Sequence, residues 1–150
     1  METKKIEKTL VASHSLKTTL SKIYEAVGVI PNKVKEGIEK QNISPVAPQI
    51  WNYIDCNGSM DAEFTLEVCI PVDKKGTDTE FISYKELQDF SCEAHTHNGP
   101  WSDFVEVYPK LFGELEKQGK AYTGNVREVY HNCDFEDQNK CVTEIQIEVK

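Results

Sequence analysis

The chain has 150 residues, 39% of them hydrophobic and 28% charged, with a formal net charge of −8. This composition fits a soluble globular domain with one core and excludes a disordered chain. The acidic balance argues against direct nucleic-acid binding; no apolar run nears the roughly 20 residues of a membrane span and no signal-peptide core follows residues 1–8, so the expected location is cytoplasmic.

In chain order, residues 6–15 (IEKTLVASHS) have the β-branched, alternating character of a strand. Residues 16–41 are helical in tendency: Leu16, Leu20, Ile23, Tyr24 and Val27 recur at three-to-four spacing, Gly28 and Pro31 interrupt, and a second helix resumes with its proline early, where the missing N–H costs little. APQIWNYIDC predicts a strand. Residues 62–72 (AEFTLEVCIPV) predict another, with Phe64, Leu66, Val68, Ile70 and Val72 on one face and Thr65, Glu67 and Cys69 on the other. Residues 73–80 are a polar connector, and FISYKELQDF reads as short and partly helical. The strand SCEAHTH, the turn NGP and a helix over 101–118 follow, with Val105, Tyr108, Leu111, Phe112 and Leu115 as its apolar stripe and Gly119 as its C-cap. VREVYHNC and CVTEIQIEV close the chain as two strands joined by the loop DFEDQNK.

His95 and His97 lie two apart on a strand, flanked by Glu93 and Asp103, a spacing that suits a metal ion; the third and fourth ligands would have to come from Glu93, His14 or a cysteine. Strand histidines more commonly serve as hydrogen-bonding residues, so neither a metal nor a cofactor is expected. The five cysteines (Cys56, Cys69, Cys92, Cys133 and Cys141) contain no CxxC pair and are expected to be free thiols.

The order strand–helix–strand–strand occurs twice. A shift of 77 superposes Lys33 on Lys110, Glu39-Lys40-Gln41 on Glu116-Lys117-Gln118, Tyr53 on Tyr130, Cys56 on Cys133, Glu67 on Glu144 and Ile70 on Ile147. One offset serves a helix end and both following strands, which points to an internal duplication. The expected fold is α+β, with two pseudo-symmetric strand–helix–strand–strand (SHS2-type) repeats over about 6–72 and 90–149, joined by a linker at 73–89. Their antiparallel sheets flank a central ligand groove. Helices are expected on one face and the groove on the other, with Glu67, Cys69, Glu144 and Gln146 on the groove side. Trp51 and Tyr53 share a face, as do Glu128 and Tyr130, and the repeat sets Trp51 against Glu128 and Tyr53 against Tyr130. If that face is the groove, aromatic walls there suit flat or cationic ligands, and a carboxylate among them favours a cation or a raised pKa. The plainer alternative is that these aromatics are structural and Glu128 is a solvated edge residue paired with Arg127 or a lysine.

HNGPWSDFVEVYPKLFGELEKQGK, REVYHNC and VTEIQIEV, together with PQIWNY and FTLEVCIPV, resemble the GyrI-like or AraC-type effector-binding domains over nearly the whole chain. The resemblance implies binding of small cationic or amphipathic aromatic compounds, as in multidrug-sensing regulators. It implies that the family's groove glutamate falls on Glu128 and its neighbouring tyrosine on Tyr130, with Trp51 and Tyr53 as aromatic groove positions. His97 matches the family histidine before the turn, and Trp101 stands where tyrosine is commoner. In the regulators this domain follows a DNA-binding helix-turn-helix; here the chain begins at the first strand, so a free-standing member is expected.

Three functions follow. The first is a small-molecule-binding module using Glu128, Tyr130, Trp51, Tyr53, Glu67, His97, Trp101 and Glu144, with Phe81, Tyr84 and Phe90 closing one side. The second is a hydrolase of cyclopropane-bearing toxins, with Glu128 as general base and Tyr130 as acid. The third is an inhibitor of a protein partner, acting through the acidic surface.

Overall fold

The computed structural model describes residues 1–150. It contains strands β1 (Glu2–Ile6), β2 (Thr9–Thr18), β3 (Ile50–Ile54), β4 (Phe64–Pro71), β5 (Ser83–Leu87), β6 (Phe90–Asn98), β7 (Tyr122–Asn132) and β8 (Val142–Val149). The helices are α1 (Ile23–Val27), α2 (Ile30–Glu39) and α3 (Phe104–Lys117). All eight strands form one antiparallel sheet in the order β1-β6-β8-β7-β3-β4-β2-β5.

Two short links curl this sheet. Only Glu7 and Lys8 join β1 to β2, and only Gln88 and Asp89 join β5 to β6, yet each link connects strands six places apart in the sheet. In a flat sheet six spacings are about 29 Å, whereas two intervening residues reach about 11 Å. The sheet therefore bends into an open antiparallel half-barrel until the two links meet. The links cross where the Lys8 backbone N–H donates to Asp89 Oδ1 at 3.1 Å. The hollow of the curl holds Arg127 of the central strand β7, whose guanidinium stacks on Phe90 at 3.9 Å and donates to the Gln88 carbonyl at 3.2 Å.

The helices pack on the other face. Val34 and Ile38 of α2 bury against Ala12, Ile70 and Val72. Leu111 and Leu115 of α3 and Ile23 and Val27 of α1 bury against Leu66, Val68, Val126, Ile145 and Ile147. The apolar face of β4 meets the helices, as its alternation predicts. No helix is long and apolar enough to cross a membrane.

Several expectations are corrected. The charged start of the chain is strand β1, paired with β6 from Glu2↔Ala94 to Ile6↔Phe90. β2 runs on through Leu16 to Thr18, because Leu16 pairs with Leu66 in the ladder to β4. The segment read as partly helical is strand β5, which covers the edge of β2 and buries Tyr84 and Leu87.

Candidate functional site

Glu128 sits at the middle of the central strand pair, opposite Trp51 on β3 and Ile145 on β8. Directly opposed residues share a face, so Glu128 points to the helix-covered side with Ile145. It is 4% exposed. The Tyr53 hydroxyl donates to its Oε1 at 2.8 Å, the Tyr130 hydroxyl donates to the same oxygen, and the Tyr108 hydroxyl of α3 donates to Oε2. No lysine, arginine or histidine pairs with it. Burial raises the Glu128 pKa above the usual carboxylate value, and the three phenols oppose that rise without cancelling it. Burial, and then the Glu128 charge, push all three phenols well above their ordinary range, so they remain donors. The result is a buried anionic centre held by neutral donors and lacking a counter-cation.

A cleft of about 340 Å³ opens beside this centre. Its floor is Trp51 and Tyr130, in edge contact at 5.1 Å. One wall comes from Tyr24, Val27 and Pro31 around the α1–α2 junction. The other is Trp101 and Phe135, 5.4 Å apart, with Trp101 edge-on to Tyr130 at 6.3 Å. The Trp101 indole is fixed by donating to Thr143 Oγ1 at 3.2 Å, and the Trp51 indole by donating to Gln49 Oε1 at 3.1 Å. Tyr130 belongs to both parts: its ring floors the cleft and its hydroxyl reaches Glu128.

The fold separates the other expected site residues. Tyr53 lies behind the cleft, stacked on Phe64 at 5.5 Å, and serves only the Glu128 cage. His97 Nε2 lies 3.2 Å from the Pro100 carbonyl and 3.4 Å from Asp103, so it braces the turn before α3 and does not line the cleft. Glu67 and Glu144 face the hollow of the curl, on the opposite side of the sheet from Glu128. Glu67 accepts from Asn52 at 2.9 Å and pairs with Lys85. Glu144 pairs with Lys4 at 3.2 Å, lies 3.2 Å from His131 and accepts from Gln146 at 3.0 Å. Those bonds hold its carboxyl below the usual range despite burial. The groove is thus on the helix face, contrary to the expected division into a helix face and a groove face, because the α1–α2 junction and the Trp101–Phe135 side stand apart over Trp51 and Tyr130 while α3 covers Glu128. Phe81 stacks on His14 at 4.0 Å, Tyr84 donates to Gln41 and Phe90 lies under Arg127, so none of these closes the cleft.

Tyr108 is the third cage donor and was legible only as part of the apolar stripe of its helix. A hydroxyl within such a stripe is the one signal that a polar partner awaits it across the interface. Phe135, 80% exposed, and the exposed Cys133 come from the β7–β8 loop, where no periodicity marks them.

The GyrI-like small molecule binding domain family matches residues 1–150. Among solved structures, EcmrR in its DNA complex within EcmrR-RPo is similar, with a TM-score of 0.85 at 21% identity over 99% of this chain. The chain spans 56% of the EcmrR polypeptide in that complex. The EcmrR C-terminal domain alone gives a TM-score of 0.82 at 21% identity, over 99% of this chain and 96% of that one. SAV2435 bound to tetraphenylphosphonium gives 0.66 at 14% identity, over 99% and 93%. A hydrolase from Listeria innocua gives 0.57 at 14% identity, over 99% and 92%. No curated protein matches the chain in sequence.

Proposed function

The chain belongs to the GyrI-like small molecule binding domain family, and from that membership we propose that it binds a cationic or amphipathic aromatic compound in the cleft over Trp51 and Tyr130, with Glu128 as the countercharge. The observation that carries this reading is the Glu128 carboxylate, buried, held by three phenols and unpaired with any cation. A flat cation on the Trp51 and Tyr130 rings gains cation–π attraction, about 0.5–2 kcal/mol per ring. It also partly neutralises a carboxylate whose burial is otherwise uncompensated. The aromatic cation on SAV2435, a protein of the same fold, is of the chemical class this cleft suits.

Tetraphenylphosphonium is the test probe. It is expected to quench Trp51 and Trp101 fluorescence on titration, and Glu128→Gln is expected to weaken binding at least about tenfold, the equivalent of 1.4 kcal/mol. A neutral analogue of similar shape should bind both proteins alike. Equal cation affinity in wild type and Glu128→Gln would remove the electrostatic basis of the proposal. Binding is favoured over hydrolysis because Glu128 is buried and already accepts three phenol hydrogen bonds, which take three of its roughly four acceptor positions and leave little room for a water to be activated.

The two halves are read as copies, and the strand register supports this. The pair Ile50↔Cys69 recurs as Arg127↔Gln146, and Trp51↔Val68 as Glu128↔Ile145, each displaced by 77, while Trp51↔Glu128 maps onto itself. The pseudo-twofold axis then passes through the Trp51–Glu128 pair, at the floor of the cleft. The edge strands are exchanged across it: β5, inside the expected linker 73–89, extends the first half, and β1 extends the second.

A further inference from the structure

We propose that Cys133 and Cys141 are a redox-active pair that forms a reversible disulfide across the mouth of the β7–β8 loop, and that this bond sets how Phe135 stands over the cleft. The last pair of the β7–β8 ladder is Asn132↔Val142, so antiparallel continuation sets Cys133 opposite Cys141. A register irregularity between Tyr130 and Asn132 returns Cys133 to the face of Tyr130, where it lines the cleft. Thr143 is on that face, bonded to Trp101, and strand alternation puts Cys141 there too. Residues opposed in an antiparallel pair have Cα atoms about 4.5–5.5 Å apart, inside the roughly 4.4–6.8 Å that a disulfide spans.

The reduced loop is already folded onto the buried sulfur. Cys141 Sγ accepts from the Asp134 N–H at 3.4 Å and donates to the Asp134 carbonyl at 3.5 Å. Asp134 Oδ1 accepts the N–H groups of Glu136 and Asp137 at 3.0 and 2.9 Å, and Asn132 Nδ2 donates to the Lys140 carbonyl at 2.7 Å, so the mouth is braced. Cys133 is the exposed thiol of the five, and Cys56, Cys69, Cys92 and Cys141 are buried. Accessible attacker and buried resolver are therefore adjacent.

The co-reactant is a small disulfide such as oxidised glutathione. The Cys133 thiolate attacks one of its sulfurs, its S–S bond breaks, and one small thiol leaves with the proton Cys133 lost. Cys141, deprotonated in turn, attacks the Cys133 sulfur of the mixed disulfide, and the second small thiol leaves with that proton. The protein dithiol is oxidised and the small disulfide is reduced to two thiols. Although Cys133 is exposed, partial desolvation of its sulfur against the cleft, and then the neighbouring Cys141, push the thiol above its ordinary value, so exchange accelerates as pH rises. Once bridged, Cys141 no longer donates to Asp134, and the residue next to Asp134 is Phe135, whose ring packs on Trp101. The bond itself is independent of the proposed ligand reading; its effect on binding rests on that reading.

The test uses the full chain incubated with oxidised glutathione from pH 7.5 to 9.5 (about one unit either side of an ordinary thiol pKa), quenched with acid, alkylated and digested with trypsin. Cleavage after Arg127 and Lys140 leaves Cys133 in the peptide 128–140 and Cys141 in 141–150. Mass spectrometry is expected to find these two peptides joined, faster at higher pH, with a shift in tryptophan emission that Cys133→Ser and Cys141→Ala each abolish. Glutathione retained on Cys133 without a crosslink, a crosslink to another cysteine, or a crosslink without the emission shift would overturn the proposal. A crosslink with its emission shift, in a protein that binds no tetraphenylphosphonium in either redox state, would support the switch and count against the ligand reading alone.

Discussion

At Glu128 two requirements oppose each other. A buried carboxylate without a cation is unfavourable for folding, yet the same charge is what would attract a ligand. Its pKa in the folded chain lies above that of the unfolded chain, so between those values the folded state holds the extra proton. Stability from this group therefore falls as pH rises through the carboxylate range. Glu128→Gln is expected to raise the melting temperature near neutral pH, with the gain disappearing below about pH 4, where the unfolded-state carboxyl is protonated as well. Thermal melts at the two pH values check this; a lower melting point for the variant at neutral pH would mean that the phenol bonds outweigh desolvation. Cation binding should vanish as pH falls through the Glu128 pKa. Tyr108→Phe leaves Oε2 without its donor and is expected to cost about 1–3 kcal/mol in denaturant unfolding, while moving the pH midpoint of cation binding upward. Trp51, Glu128 and Tyr130 were legible as a shared strand face, but Tyr108 was not, since nothing in a helical stripe says which strand residue it will meet.

The elements show why some assignments follow from local sequence and others do not. The junction HNGPW is a turn on local grounds: Gly99 has φ +134°, a conformation that side-chain-bearing residues avoid, and its N–H reaches the Cys141 carbonyl at 2.9 Å. A Cβ there would lie 3.4 Å from Asp103 Oδ2 and 3.5 Å from His97 Nε2. Gly99→Ala is therefore expected to cost of order 1–3 kcal/mol, with Trp101 fluorescence shifted because that ring stands at the start of the helix the turn launches. Unchanged stability would show that the turn relaxes freely. β5 had no such local cause. SYKEL extends because β2 presents an unpaired edge and because Tyr84 and Leu87 find burial there, and both reasons come from chain far away in sequence.

For the whole molecule, the curl is decisive. It follows from two-residue links between strands six places apart, and it places Arg127 in the hollow while turning Glu128 outward to the helices. β1 completes one end: Thr3 donates to Glu93 at 3.0 Å and Lys4 pairs with Glu144. Removing residues 2–6 should lower the melting temperature and expose the edge of β6, driving association that light scattering detects; a monomer of unchanged stability would show β1 to be dispensable. By itself the sequence determined the α+β class, the alternation of β4, the turn at Gly99 and the pairing of Trp51 with Glu128, because period-two burial, glycine stereochemistry and residue identities matched at a shift of 77 are local or internal properties of the chain. Only the tertiary structure decided that the cleft lies on the helix face, that Glu67 and Glu144 turn away from it and that Tyr108 completes the Glu128 cage. Those outcomes depend on how far the sheet bends and where the helices leave it bare, and both are set by closure of the chain ends over long sequence separations.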